Sequence, residues 1–522
     1  MDPIDEIRRK RKIAHRRLLE LDSKVYAAFL EMERATFCDG ALPKATKELI
    51  AVGMSVVRDC QSCMEWHITQ AAQSGAARRE VLEAIEVAIE MAGGPATVSA
   101  RFALDVMERV FRGAGAPEPA PARSDEWQGR FPKSEIISLL DVNLPLNLAE
   151  STSRDLELGE LLDLIGRDEL SHLPLGYGSS AGTPALREII GESLGVPADH
   201  VLTTQGAALG LFMLAFEICR PGDEVVVVTP CFPPSRDALI GCGVTVREAA
   251  LSFDDGYRLD PERLAQQLSP RTRLVSLASP QNPSGVCASA AAIRRLLAVM
   301  AESAPGALLF IDETYREASY GDAPPRPSVA GLDPRVVTGS SLSKAHGAPG
   351  LRVGWLTVAD PALRERLRVA KLNIVISGSV LDEALAAGLL HHREAVLAPR
   401  RAFLAQGLDI LEKWREGEET RIDWVRPDAG ALCCLRLRAD AFSAAGVERF
   451  WRSLPAHDLQ LAAGTWFGGS AREFRLGFGY LPIQRLPQAL SALTRAMDEA
   501  QGDGGSAITE PPTTLHVASR YS

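Results

Sequence analysis

Four short apolar runs decide most of what this chain can become. They are Glu224-Val-Val-Val-Val-Thr229, Leu274-Val-Ser-Leu-Ala278, Leu308-Leu-Phe-Ile-Asp312 and Val336-Val-Thr338, and none alternates apolar with polar residues. A strand with one wet face alternates with period two, whereas a strand buried on both faces need not. Helical segments such as Ala291 to Met300 lie between the runs. Strands alternating with helices predict an α/β domain with a mostly parallel sheet. Side chains that carry chemistry then belong at the strand ends, where the chain leaves the sheet.

The first 112 residues follow a different rule. Apolar residues recur at helical spacing in Leu18 to Leu30, Leu49 to Val57 and Val81 to Met91, and no alternating stretch of useful length interrupts them. An all-α domain is predicted over 1–112. Gly113-Ala-Gly-Ala-Pro-Glu-Pro-Ala-Pro-Ala-Arg-Ser has no apolar period, so residues 113–130 read as an extended linker. The α/β domain is expected over 131–502, and the polar segment 503–522 reads as a disordered tail. At 522 residues two or more domains are the natural expectation.

Composition excludes several classes of function. A formal net charge of −10 argues against nucleic acid as the main partner. The basic run Arg8-Arg-Lys-Arg-Lys12 is short and reads as one solvated helix face. No apolar segment is long enough to span a bilayer, and the N-terminus lacks the apolar core of a signal peptide. Nine cysteines in this length are too few for a disulfide framework, so a reducing, cytoplasmic setting is expected.

Two of those cysteines are spaced for chemistry. In Cys60-Gln-Ser-Cys63-Met-Glu-Trp-His67, a helix opening at Asp59 or Cys60 would put Cys60, Cys63 and His67 on one face. A helix N-terminus stabilises a thiolate, and a nearby imidazole can move its proton. A Cys-x-x-Cys pair can then cycle between dithiol and disulfide. A structural zinc usually takes four ligands, and only three cluster here; two small buried cysteines in a helical core are the other alternative. Lys47-Glu-Leu-Ile-Ala-Val, the Cys-x-x-Cys-x-x-x-His, Gln73-Ser-Gly-Ala76 and Met91-Ala-Gly-Gly-Pro95 together resemble the carboxymuconolactone decarboxylase family, in its alkylhydroperoxidase D-like branch. The resemblance implies an oligomeric helical domain, thiol-dependent peroxidase or disulfide-reductase chemistry with a dithiol reductant, and a proton relay that includes Glu48. Ser62 stands where that relay often has His or Tyr.

In the second domain, Val337-Thr-Gly-Ser-Ser-Leu-Ser-Lys-Ala-His-Gly-Ala-Pro-Gly-Leu-Arg-Val-Gly-Trp355 starts as a strand and breaks into small residues around one lysine, Lys344. Small neighbours let a bulky ligand approach. A lysine amine of lowered basicity attacks carbonyls. Ser341, Ser343 and Arg352 offer donors to an anion such as phosphate. Further motifs precede and follow it. They are the Gly-rich turn Gly176-Tyr177-Gly, Thr204-Gln-Gly-Ala-Ala before an apolar helix, Pro230-Cys-Phe232, Gln281-Asn-Pro-Ser-Gly285, Asp312-Glu-Thr-Tyr315 and Arg472-Glu-Phe-Arg475. Free amides at a helix start bind phosphate, and an Asn-Pro turn projects the Asn amide.

In this order the motifs resemble the class I/II aminotransferases, fold-type I enzymes of pyridoxal 5′-phosphate (PLP), from about Asp141 to about Ala500. The resemblance implies a smaller C-terminal α+β subdomain, a homodimer, and amino-acid and 2-oxo-acid substrates. It places Lys344 as the residue that carries the cofactor. Gly206, Ala207, Ala208, Ser341, Ser343 and Arg352 would hold the phosphate, with Tyr177 reaching the phosphate of a neighbouring subunit. Phe232 would stack on the ring, Asn282 and Tyr315 would bond the ring oxygen, and Asp312 would face the ring nitrogen. Arg475, or failing it Arg472, would clamp a substrate carboxylate. Aminotransfer is the simplest expectation. The stretch Ser341 to Arg352 also resembles capreomycidine-synthase-like members, which leaves cyclisation, elimination or oxidation open. A redox or ligand-sensing protein without catalysis is the reading from another class. Regulators that use this fold carry a winged helix, and no basic segment here suits that role.

Overall fold

The computed structural model describes residues 3–111, 129–137 and 144–501. All but the last two residues of the expected linker, the expected start of the similarity at Asp141, and the expected tail lie outside them. The chain divides into two compact units, Met1–Asp125 and Glu126–Ser522.

The first unit is built from α1 (Pro3–Glu20), α2 (Lys24–Thr36), α3 (Lys44–Val57), α4 (Gln61–Gln73), α5 (Arg78–Ala92) and α6 (Gly94–Phe111). Its core joins Val52 and Val56 of α3, Met64 and Ile68 of α4, Val81 and Ile85 of α5, and Ala103 and Val106 of α6. These positions recur at three- and four-residue spacing, the signature of one buried helix face. One expectation is refined here and one is corrected. The apolar stretch Leu18 to Leu30 is two helices, because Asp22 takes a positive φ of 48° and Ser23 caps α2 by accepting from Tyr26 N. A Ser N-cap satisfies an orphan amide, and apolar periodicity is blind to it. The basic run is not wholly solvated. Arg8 and Arg11 reach the fully buried Glu65 of α4 at 2.8 and 2.6 Å, and Arg11 lies 4.5 Å over the Trp66 ring. Arg9, Lys10 and Lys12 stay exposed.

The second unit holds a seven-stranded sheet in the order β2-β8-β7-β6-β5-β3-β4. Its strands are β2 (Val201–Thr204), β3 (Glu224–Thr229), β4 (Thr245–Ala250), β5 (Thr272–Ala278), β6 (Leu308–Asp312), β7 (Val336–Ser341) and β8 (Gly354–Val358). β8 runs antiparallel to both neighbours, and the others are mutually parallel. Away from the edge strand β4, both faces are buried. Val225 and Val227 pack with Leu211 and Leu214 of the helix Ala207–Ile218, while Val226 and Val228 pack with Leu296 and Met300 of the helix Ala290–Ser303. Hence the four apolar runs lack alternation: each residue meets a helix on one side or the other.

The remaining strands are β1 (Leu146–Asn147), β9 (Ile422–Val425), β10 (Leu432–Leu437), β11 (Leu459–Gln460), β12 (Ala462–Ala463) and β13 (Glu473–Gly477). β12-β13-β10-β9 form an antiparallel sheet whose Leu435 and Phe474 pack against Phe450 and Leu493 of the closing helices. This is the smaller C-terminal subdomain. Among the described residues no helix is long and apolar enough to cross a membrane.

Glu65 supplies a test of the first unit. Removing both arginines leaves a buried carboxylate without a counter-charge. R8A/R11A should cost about 2–3 kcal/mol, less than the about 3–5 for a fully buried pair, because the guanidiniums are partly exposed. Hydrogen exchange should show the amides of Gln61–Gln73 losing protection; unchanged protection would mean the pairs are ornamental.

Candidate active site

One edge of the seven-stranded sheet gathers the chemistry. Parallel strands all end on the same edge, so β2 delivers Gly206 there, β3 Phe232, β5 Asn282, β6 Asp312, and β7 Ser341 and Lys344. β8 runs the other way and therefore begins at that edge, bringing Arg352 just before it. Gly354 is paired with both Ser341 and Thr204. The result is a cavity of about 380 Å³ lined by Gly206, Ala207, Ala208, Phe232, Asn282, Asp312, Tyr315, Ser341, Ser343, Lys344 and Arg352. Every cofactor-cavity residue expected from the sequence is on its wall except Tyr177, which lies elsewhere and is 88% exposed.

One end of the cavity is an anion cradle. Gly206 has a φ of 84° and precedes the helix Ala207–Ile218, whose first turn no side chain caps. A Cβ on Gly206 would come 2.6 Å from a terminal nitrogen of Arg352. Free amides, a helix N-terminus, the Ser341 and Ser343 hydroxyls and an exposed guanidinium suit a phosphate.

The other end is a hydrogen-bonded polar chain. Lys344 Nζ donates to Ser151 Oγ at 3.1 Å, and Tyr315 Oη donates to the same oxygen at 2.9 Å. Asn282 Nδ2 donates to Tyr315 Oη at 3.4 Å, and Asn282 Oδ1 accepts from Arg475 at 2.9 Å. Arg475 is 1% exposed, donates also to Ala149 O, and stacks 4.9 Å over Phe467. Arg472 bonds Phe442 O instead, so the two arginines of that segment part company at the start of β13.

Burial pushes the Asp312 carboxyl up, and bonds from the Thr314 hydroxyl and amide at 2.5 and 2.9 Å oppose the shift, as does the Lys344 charge. A cationic ring nitrogen beside it would hold it ionised. Burial opposes the charge on Glu150 too, but Lys344, whose Nζ is 3.6 Å away, and Arg475 outweigh it and hold that carboxyl below its ordinary range. Sequence reasoning missed Glu150 and Ser151. They follow the short β1 strand, in no recognised motif; a Glu-Ser-Thr-Ser run after two apolar residues was the only mark of them.

In the helical unit, Cys60 caps α4 and is joined to Cys63 by a disulfide. His67 Nδ1 lies 2.8 Å from Oε2 of the buried Glu48, and its ring is 5.2 Å from that of Phe37. The four residues singled out in the sequence are thus gathered on the adjoining helices α3 and α4.

Comparison with known proteins gives both units a family. The model of the carboxymuconolactone decarboxylase family matches residues 23–105, and that of aminotransferase class I and II matches 147–493. Capreomycidine synthase of Streptomyces vinaceus is 31% identical over 356 residues, 67% of this chain and 89% of that protein. Arginine–pyruvate transaminase of Pseudomonas aeruginosa is 30% identical over 310 residues, 58% of this chain and 77% of that protein. Among solved structures, the PLP-dependent cyclase OrfR superposes with a TM-score of 0.63 at 26% identity, covering 73% of this chain and all of that one. A PLP-dependent aminotransferase from Streptococcus suis reaches 0.65 at 24% identity, over 72% of this chain. The cradle at Gly206 and Arg352, with Asp312 and Lys344 in the same cavity, fits that cofactor. The chain belongs to the class I and II aminotransferase family of PLP-dependent enzymes and carries a carboxymuconolactone decarboxylase family domain on its N-terminal side.

Proposed function

We propose that the second unit is an aminotransferase acting on an α-amino acid. The observation that supports it best is the convergence of Asn282, Asp312, Lys344 and Arg352 from different strand ends on one cavity, with Arg475 bonded to Asn282. Bound PLP supplies an electron sink for the electrons left when a bond at the substrate α-carbon breaks. Arg352, Ser341, Ser343 and the amides of Ala207 and Ala208 hold its phosphate. Asp312 would face the ring nitrogen and favour its protonated form. Asn282 and Tyr315 would donate to the ring oxygen, and Phe232 would supply an apolar wall for the ring. Arg475 forks onto the substrate carboxylate, which fixes the α-carbon beside Lys344. The Lys344 amine, on the wall of the same cavity, would be the base that moves the α-proton.

A second reading, cyclisation, is favoured by one finding: the similarity to capreomycidine synthase extends over 89% of that protein. Incubating holoenzyme with ¹⁵N-labelled amino acids and a 2-oxo acid separates the two. Transamination moves the label to the oxo acid, whereas cyclisation keeps it in the product.

Borohydride reduction of the holoenzyme should fix the cofactor to a single peptide containing Lys344, and Lys344→Ala should abolish turnover. Labelling of any other lysine would sink the assignment. Asp312→Asn should retain PLP yet lose about 10²–10³-fold in kcat, the usual cost of removing a preorganised charge partner. Near-wild-type rates there would show that the ring nitrogen need not be protonated.

For the helical unit we propose thiol-disulfide chemistry and self-association. A dithiol reductant would pass two electrons and two protons to the Cys60–Cys63 disulfide. The two thiols would then reduce a hydroperoxide to alcohol and water and close the disulfide again. His67 and Glu48 would carry the protons. The exposed Val25, Phe29 and Met32 of α2 and Ile50 and Met54 of α3 support self-association. With a dithiol reductant, hydroperoxide consumption should be slow and should fall further in Cys63→Ser, with the PLP reaction kept. Wild type without peroxide turnover would leave this unit an assembly role alone.

A further inference from the structure

Two helices of the first unit carry exposed stripes of opposite charge. Across Pro3–Glu20, α1 sets seven cations against three carboxylates, Asp5, Glu6 and Glu20. Arg8 and Arg11 are paired with Glu65, and Lys10 lies 2.7 Å from Glu6. Lys12, Arg16 and Arg17 have no ion-pair partner among the described residues. Arg9, Lys12, Ile13, Arg16 and Leu19 fall at i, i+3, i+4, i+7 and i+10, which is one face of a helix, and all five are exposed.

Helix α5 is the counterpart. Across Arg78–Ala92 four carboxylates face two arginines. Glu83, Glu86, Val87, Glu90 and Met91 again share one face, and all are exposed, Val87 by 63% and Met91 by 79%. Arg78 lies 3.8 Å from Glu108, away from this stripe, while Arg79 lies 3.0 Å from Glu83 and in the field of Glu86. Glu90 has no ion-pair partner among the described residues, so the stripe keeps a net negative charge.

A face made only to be wet needs charge but no Ile, Leu, Val or Met within it. Exposed apolar side chains rimmed by charge mark a contact surface. Contact of either stripe with its own counterpart would set like charges against each other, which is unfavourable, whereas unlike stripes attract and cover Ile13, Leu19, Val87 and Met91 together. Helix α1 packs on α4 and α2, and α5 on α3 and α6, so each stripe points away from the core of its own unit. The formal charge of −10 opposes binding of the whole chain to an anionic surface, and α5 supplies a complementary face on the same molecule.

We propose that the helical unit assembles head to tail, the basic stripe of α1 on one copy docking on the acidic stripe of α5 on the next. This gives a mode to the self-association proposed above and rests on that reading. It is a different contact from the uncharged face of α2 and α3, where copies can meet like to like. A heterologous contact of this kind closes into a ring or runs on as a filament. Helix α1 precedes residues 23–105, the part that matches the carboxymuconolactone decarboxylase family, so one side of the contact is built outside the family's shared segment.

Sedimentation of the full-length holoenzyme at low and high salt tests the contact. Wild type should form a larger species at low salt and shift towards a smaller one as salt screens the stripes. K12E/R16E and E86K/E90K should each weaken association at least about tenfold. Mixing the two variants should restore the larger species, because every stripe then meets an unlike one. Wild type indifferent to salt, full association kept in either variant, or no recovery on mixing would each overturn the proposal. The salt comparison alone can do so if a variant does not fold. Binding of wild type to phosphatidylserine vesicles that is lost in K12E/R16E would overturn it in favour of a membrane. Assembly that survives both reversals but falls in V25E/M32E removes only the charged contact. Assembly unmoved by all three variants removes the self-association of the helical unit as well.

Discussion

The active-site cavity depends on how closely three stretches of backbone approach one another at Gly354. This residue opens β8, the strand that runs against its neighbours, and pairs with Ser341 on one side and Thr204 on the other. A Cβ there would lie 2.7 Å from both the Gly206 carbonyl carbon and Ser340 O, so no side chain fits without moving the sheet. The close approach is what lets Arg352, Ser341 and the helix start at Ala207 aim at one point. Reversing β8 has the same consequence at larger scale. A parallel β8 would start at the far edge, and Arg352 would be carried away from Ser341.

Electrostatics organises the opposite end. Arg475 is buried against Asn282, Ala149 O and the face of Phe467, so its charge is held by dipoles and a ring as well as by Glu150. A guanidinium in such a setting is oriented before any ligand arrives, which lowers the ordering cost of binding. Asp312 is the complementary case: a carboxylate whose burial disfavours its charge until a cationic partner sits beside it. The two groups are fixed in place and incompletely matched within the protein, as a ligand-binding site requires.

The helical unit uses the same physics for a different end. Glu65 is buried at the start of α4 and matched by Arg8 and Arg11, which anchors α1 beside the Cys60–Cys63 turn. Glu48 is buried one helix away, with its Oε2 2.8 Å from His67 Nδ1. Helix α2, by contrast, buries no residue within its own unit, and Val25 is 84% exposed. Hydrophobic cost of that size on a helix face is ordinarily met by another surface.

What the sequence determined by itself is the kind of structure and the residues at strand ends. Runs such as Glu224–Thr229 could be read because burial on both faces leaves a pattern in consecutive residues. Lys344, Asp312 and Asn282 could be read because each lies within a few residues of its strand, in a motif of local turns and small side chains. Tertiary structure alone decided the partners that come from far along the chain. Glu150 and Ser151 meet Lys344 across 193 residues in the case of Ser151, and no local pattern encodes such a contact. Arg8 and Arg11 looked like a wet face for the same reason, since their carboxylate partner lies on a helix whose packing they help to define. The break at Asp22 shows the converse: a single cap hydrogen bond from Tyr26 N to Ser23 outweighs an unbroken apolar period, because ending a helix is settled by backbone groups and the period records only side chains.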